Sequence, residues 1–189
     1  MITVISGTNR PDSSTLTIAK WCMEKLTGLG EECQLLDLTK LNIPILASSM
    51  YEEDSQHPCI SALQEKFLMQ SEHWLVISPE YNGSFPGVLK LFIDAVSVSQ
   101  IKETFSGKKV SLLGISSGRA GNFRGMEHLT GIFNYLNVVV MPNKLPISSI
   151  KNILSPDGNI EEPTTQVLEA YIDEMLDFFN VESHQNIFV

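Results

Sequence analysis

Hydroxyl side chains and one arginine are concentrated near the N-terminus, between the first apolar run and the first stretch with helical spacing. The segment reads Ser6-Gly7-Thr8-Asn9-Arg10-Pro11-Asp12-Ser13-Ser14-Thr15. Hydroxyl and guanidinium groups donate hydrogen bonds to phosphate oxygens, and the first amides of a helix lack intrahelical acceptors. The segment therefore predicts an anion site. The simpler alternative is a helix cap at Ser13 or Ser14 with a solvated Arg10, but the position directly after a strand favours the anion.

The amino-acid sequence excludes three other kinds of phosphate-binding site. The chain has no G-x-x-x-x-G-K-[ST] sequence for a nucleoside triphosphate, and no G-x-G-x-x-G follows the first strand for a dinucleotide. No cysteine has an arginine six residues later, which is the spacing that small tyrosine phosphatases use. The remaining possibility is a site in which hydroxyls, amides and one arginine bind a phosphate group.

A second polar segment follows the apolar run 73–78 and precedes the apolar run 88–96. Its first residues are Pro79, Glu80, Tyr81, Asn82 and Gly83. Ligands of open α/β sheets bind at such turns, between the carboxyl end of a strand and the helix that follows. A purely structural turn, with a cap at Ser84 and Pro86 in the first turn of the helix, would explain the fold equally well.

A third loop follows the next strand and faces the same edge of the predicted sheet. It contains Ser116, Ser117, Gly118, Arg119, Ala120, Gly121 and Asn122. Small residues allow main-chain amides to approach a ligand closely. The three loops together predict one binding crevice.

The elements that must position these loops alternate between strands and helices. Five apolar runs without clean alternation predict strands buried on both faces, at residues 2–5, 34–38, 74–77, 110–115 and 138–141. Helical spacing occurs in 16–26, 63–70, 88–96, 122–136 and 163–179. This order predicts an α/β protein with a doubly wound, five-stranded parallel sheet and helices on both faces. The pattern leaves the Rossmann and flavodoxin strand orders open.

Length and composition favour a single domain. A chain of 189 residues with 43% hydrophobic content suits one core, so residues 1–189 are expected to form one domain. Residues 41–58 and 142–163 fit neither the helical nor the strand period of apolar residues, and we expect them to be irregular excursions.

Charge and composition argue against several other functions. The net charge of −9, without a basic cluster beyond Lys108 and Lys109, argues against a nucleic-acid partner. The chain shows neither a signal-peptide pattern nor an apolar run of ~18 residues, which predicts a cytoplasmic protein without a membrane partner. The three scattered cysteines and four dispersed histidines predict reduced structural thiols and no metal site.

The first loop and the Pro79 to Gly83 turn together resemble those of the flavodoxin-like NAD(P)H-dependent FMN reductases, and the third loop is similar in part. The resemblance implies a flavodoxin-like fold, FMN as cofactor and NADPH or NADH as hydride donor. It assigns the flavin phosphate to Thr8, Arg10, Ser13 and Thr15, with Ser14 as a substitute donor. It assigns the flavin ring to Pro79, Glu80, Tyr81, Asn82 and Gly83, and its pyrimidine side and ribityl chain to Ser116, Ser117, Gly118 and Gly121. It requires no catalytic side chain, because the flavin carries the chemistry.

Several points stay open at the level of sequence. The small electron acceptor could be a flavin, a quinone or an azo compound, since all three would share the same site. A flavodoxin-like electron carrier is a further alternative, although Arg10 and the Pro79 to Gly83 turn favour a reductase. The largely apolar segment 88–96 belongs either to the core alone or to a homodimer or homotetramer interface, as in the resembling family.

Overall fold

Within the described part of the chain, six parallel strands form one sheet. The computed structural model describes residues 1–41, 51 and 52, 56–155 and 157–181. The strands are β1 (Ile2–Ser6), β2 (Cys33–Asp37), β3 (His73–Pro79), β4 (Lys109–Ile115), β5 (Val139–Val140) and β6 (Leu145–Ile147). Their order is β2-β1-β3-β4-β5, with β6 also paired to β4. This is the flavodoxin order, so the alternative that the sequence left open is resolved.

The strand position beyond β4 is divided between two short strands. β5 pairs with the start of β4, and β6 pairs with its end, where Ile147 lies opposite Ile115. The sequence predicts residues 142–163 to be irregular, and this prediction was wrong for β6 and for the short helix that follows it. A three-residue strand is too short to show a period, and Pro146 is tolerated because β6 lies at the edge of the described sheet.

Helices cover both faces of the sheet. They are α1 (Ser14–Gly28), α2 (Pro58–Leu63), α3 (Gly87–Val96), α4 (Ile101–Phe105), α5 (Phe123–Tyr135), α6 (Ile150–Ile153) and α7 (Glu162–Asn180). A π-helical segment, Gln64–Met69, continues α2. Apolar side chains of α1, α6 and α7 pack on one face, whereas those of α2, α3 and α5 pack on the other.

The central strands are buried on both faces. In β3, Leu75 packs towards α1 and α7, whereas Val76 packs towards α3 and α5. This two-sided burial explains why the apolar runs lack alternation, and it confirms the doubly wound architecture. The predicted excursion at 41–58 lies largely outside the described residues. Within the part of the chain that the structure describes, no helix is both long and apolar enough to cross a bilayer.

We predict that Gly114→Ala destabilises the protein, because a Cβ at this position of β4 would lie 2.1 Å from the carbonyl oxygen of Gly121. The expected loss in the free energy of unfolding is about 1–3 kcal/mol, measured by urea denaturation. Gly131→Ala is the matched control, because a Cβ at this helical position meets nothing within 4 Å. It should stabilise by about 0.5–1 kcal/mol. Equal effects of both changes would contradict the packing argument.

Candidate functional site

The first loop joins β1 to α1 and presents donors at the carboxyl edge of the sheet. Its start is packed tightly, since the amide of Gly7 donates to the carbonyl of Ile77 at 2.9 Å. The N-cap of α1 is Ser13, whose Oγ accepts from the amide of Leu16 at 3.2 Å. The amides of Ser14 and Thr15, at the start of the helix, have no intrahelical acceptor. The loop therefore offers free N–H groups at the positive end of a helix dipole.

The hydroxyl of Thr8 links the first loop to the second. Thr8 is buried, and its Oγ1 lies 2.7 Å from the phenol oxygen of Tyr81. The same Oγ1 accepts from the amide of Arg10 at 3.2 Å. These contacts hold Tyr81 of the second loop against the predicted phosphate loop.

The second loop contains a tight two-residue turn. The amide of Tyr81 donates to the carbonyl of Ser84 at 2.8 Å, and the amide of Ser84 donates back at 3.1 Å. Asn82 and Gly83 have φ values of 52° and 76°, the left-handed pair that a type I′ turn requires. The Asn-Gly sequence thus sets the turn that orients Tyr81.

The third loop is fastened to the second by Asn122. Its side chain is fully buried, and Nδ2 donates to the carbonyl oxygens of Ser78 at 2.9 Å and Pro79 at 3.0 Å. Within the loop, the amide of Gly121 donates to Ser116 Oγ at 2.9 Å. A Cβ at Gly121 would lie 2.5 Å from that of Pro146 in β6, so this glycine allows the loop to approach the edge strand.

The three loops enclose a cavity of about 280 Å³. Ten of the fourteen residues that the sequence predicts for the site line it: Thr8, Arg10, Ser13, Ser14, Thr15, Pro79, Glu80, Tyr81, Ser116 and Ser117. Four lie outside the lining. Asn82 and Gly83 form the turn, the carbonyl of Gly118 accepts from Ser149, and Gly121 packs on Pro146.

Five lining residues were missed by sequence reasoning: Pro11, Asp12, Ile115, Ile150 and Lys151. Pro11 and Asp12 lie inside the first loop, and Ile115 ends a predicted strand. The sequence pattern therefore contained enough information to include these three residues in the site. Ile150 and Lys151 belong to α6, in the segment predicted to be irregular. Nothing in the nearby sequence marks them as site residues. They reach the cavity through the pairing of β6 with β4, which is a contact between segments distant in the chain.

The lining is rich in hydrogen-bond donors, and its described residues include neither histidine nor cysteine. Away from it, burial raises the pKa of Cys22 to about 12, and burial together with Glu31 raises that of Cys33 to about 11. Both thiols are therefore protonated at neutral pH. Among the described residues, no group of three acidic, histidine or cysteine side chains is placed to hold a metal ion. The arrangement is suited to holding a phosphate-bearing ligand.

The strand order and the converging loops define a flavodoxin-like protein. The sequence model of the NADPH-dependent FMN reductases matches residues 1–152. The chain therefore belongs to this family, and it is an FMN-dependent oxidoreductase that uses NAD(P)H as electron donor. The resemblance noted from the loops is confirmed.

Individual relatives agree with this assignment. The chain is 29% identical over 175 residues to a 2-hydroxy-1,4-benzoquinone reductase of Burkholderia sp., with 92% of each protein covered. It is 31% identical over 132 residues to an NAD(P)H-dependent FMN reductase of Pseudomonas aeruginosa, with 69% of each covered. Among solved structures, the flavoenzyme NAD(P)H:(acceptor) oxidoreductase of Paracoccus denitrificans superposes with a TM-score of 0.76 at 25% identity. That match covers 94% of this chain and 96% of the other.

Proposed function

We propose that this protein is a quinone reductase in which the cavity between the three loops holds FMN. The observation that carries the proposal is the position of this donor-lined cavity at the carboxyl ends of β1, β3 and β4. When bound, FMN would supply the redox chemistry. Overall, a hydride from NAD(P)H and a proton from solvent would convert the quinone to a hydroquinone and leave NAD(P)+.

The first loop has the donors that a phosphate ester needs. Ser13, Ser14 and Thr15 surround the N-terminus of α1, where the free amides of Ser14 and Thr15 favour an anion. Thr8 adds a hydroxyl, and the exposed Arg10 is not ion-paired within the described residues. This donor set fits the phosphate of FMN, and we assign that role to it.

The second and third loops are suited to the flavin ring. Glu80 and Tyr81 line the cavity, and the amide of Glu80 is held by the carbonyl of Ile115 at 2.8 Å. We assign the ring to the segment from Pro79 to Gly83. Ser116 and Ser117 would lie along the pyrimidine side and the ribityl chain, whereas Gly118 and Gly121 shape the main chain of that loop.

A quinone is the acceptor that the relatives favour. The Burkholderia protein is named for reducing a hydroxybenzoquinone, and a relative from Pseudomonas putida, 25% identical over 179 residues, is named a quinone reductase. Among the residues that the structure describes, no histidine or cysteine lines the cavity as a proton donor for the acceptor. A quinone suits such a site because its oxygens take protons readily from water once it is reduced.

We predict that NADPH or NADH bleaches the oxidised flavin band of the FMN-loaded protein under anaerobic conditions, and that 1,4-benzoquinone restores it faster than an azo dye or free FMN does. Stopped-flow absorbance measures both half-reactions. A band that neither nicotinamide nucleotide bleaches would indicate an electron carrier instead. Faster reoxidation by the azo dye would move the acceptor to that class.

We predict that Arg10→Ala weakens FMN binding by about 1.5–3 kcal/mol, the value of a hydrogen bond to a charged group. This corresponds to roughly 10- to 100-fold in Kd. Quenching of FMN fluorescence by the flavin-free protein measures the affinity. Lys20→Ala is the control, because Lys20 is exposed on α1 away from the cavity lining. An unchanged Kd for Arg10→Ala would remove the arginine from the phosphate site.

We also propose that the protein is a homodimer or homotetramer that uses α3. Leu89, Phe92 and Ile93 of this helix are buried in the core of the same chain. Val88 and Leu91 are only half-buried and lie beside the exposed Lys90. A second copy would cover these two side chains.

We predict that light scattering coupled to size-exclusion chromatography gives a mass of two or four chains, and that Leu91→Glu reduces it. The glutamate would place a charge in an apolar contact, which is costly when the contact is buried between subunits. Lys102→Glu, at an exposed position of α4, is the control. A monomer at every concentration would contradict the assembly.

A further inference from the structure

A lysine from the C-terminal part of the chain lines the same cavity as the first loop. Lys151 lies in α6 and lines the cavity together with Arg10, Ser14 and Thr15. It was absent from the sequence prediction, and it lies outside the three loops that the family resemblance identifies. Its position therefore requires its own explanation.

Strand β6 fixes this position. Beyond the end of β6, the amide of Ser149 donates to the carbonyl of Gly118 at 2.8 Å, and the amide of Ile150 donates to that of Ser116 at 3.0 Å. Ile150 is buried in the same apolar cluster as Ile18 of α1. The helices α6 and α1 therefore pack on the same face of the sheet, and residues at the start of both helices line the cavity, with Lys151 exposed.

The charges of the lining make this lysine significant. The described lining of the cavity contains two carboxylates, Asp12 and Glu80, and two cations, Arg10 and Lys151. Arg10 alone would leave the lining with an excess of negative charge, which disfavours a phosphate dianion. Within the residues that the structure describes, neither cation forms an ion pair, so both are available to a ligand.

We infer that Lys151 is a second cationic contact for the phosphate of FMN, and that with Arg10 it makes the cavity prefer FMN over riboflavin. The inference rests on the proposed function, since it places FMN in this cavity. Riboflavin has the same ring and ribityl chain but no phosphate, so only the FMN complex should depend on the charge of Lys151.

The test is a titration of the flavin-free full chain with FMN and with riboflavin, followed by quenching of flavin fluorescence. Lys151→Gln should weaken FMN binding roughly three- to tenfold and leave riboflavin binding unchanged. Its FMN affinity should also fall less steeply with added salt. Lys151→Arg keeps the charge and should stay close to wild type, as should the control Lys20→Gln.

Four outcomes would overturn the inference. Unchanged FMN affinity in Lys151→Gln would show that the lysine does not reach the phosphate, and equal losses for FMN and riboflavin would indicate a structural disturbance. A changed ratio of KM values for NADPH and NADH with unchanged FMN affinity would assign Lys151 to the nucleotide's phosphate. Failure of the wild-type chain to bind FMN would instead overturn the proposed function and this inference with it.

Discussion

The parallel pairing of β1, β3 and β4 is the constraint on which the rest of the structure depends. Because the strands run in the same direction, their carboxyl ends lie at one edge of the sheet, and the three loops that follow them must meet there. The chain leaves β1 for α1 on one face and β3 for α3 on the other. The crevice opens at this divergence, where an open α/β sheet leaves room for a ligand.

Hydrogen bonds between the loops then fix the shape of the crevice. Asn122 joins the third loop to the end of β3, and the contact of Thr8 with Tyr81 joins the first loop to the second. The amide of Glu80 is bound to the carbonyl of Ile115 at the end of β4. A site braced in this way does not have to be ordered by its ligand, which lowers the cost of binding and keeps a reacting ring in position.

Local charge, rather than the charge of the whole chain, has to attract the cofactor. The protein carries a net charge of −9, so its average field opposes an anionic ligand. Helix amides and hydroxyls act at contact distance, where screening by salt is weak, and they contribute no net charge to the surface. In the described lining, Arg10 and Lys151 balance the carboxylates of Asp12 and Glu80, so the cavity itself carries no excess of negative charge although the protein as a whole is acidic.

Much of the fold and of the site could be predicted from the sequence because the relevant signals are local. Apolar runs specify the central strands, the Asn82-Gly83 pair specifies a tight turn, and the hydroxyl-rich segment before α1 supplies hydrogen-bond donors that line the cavity. The tertiary structure alone decided the strand order, the division of the outer strand into β5 and β6, and the position of Lys151 in the cavity lining. The hydrogen bond between Thr8 and Tyr81 belongs to the same group. Each depends on contacts between residues distant in the chain, and no periodicity or motif within a short segment encodes which distant partner a short strand or a single side chain will meet.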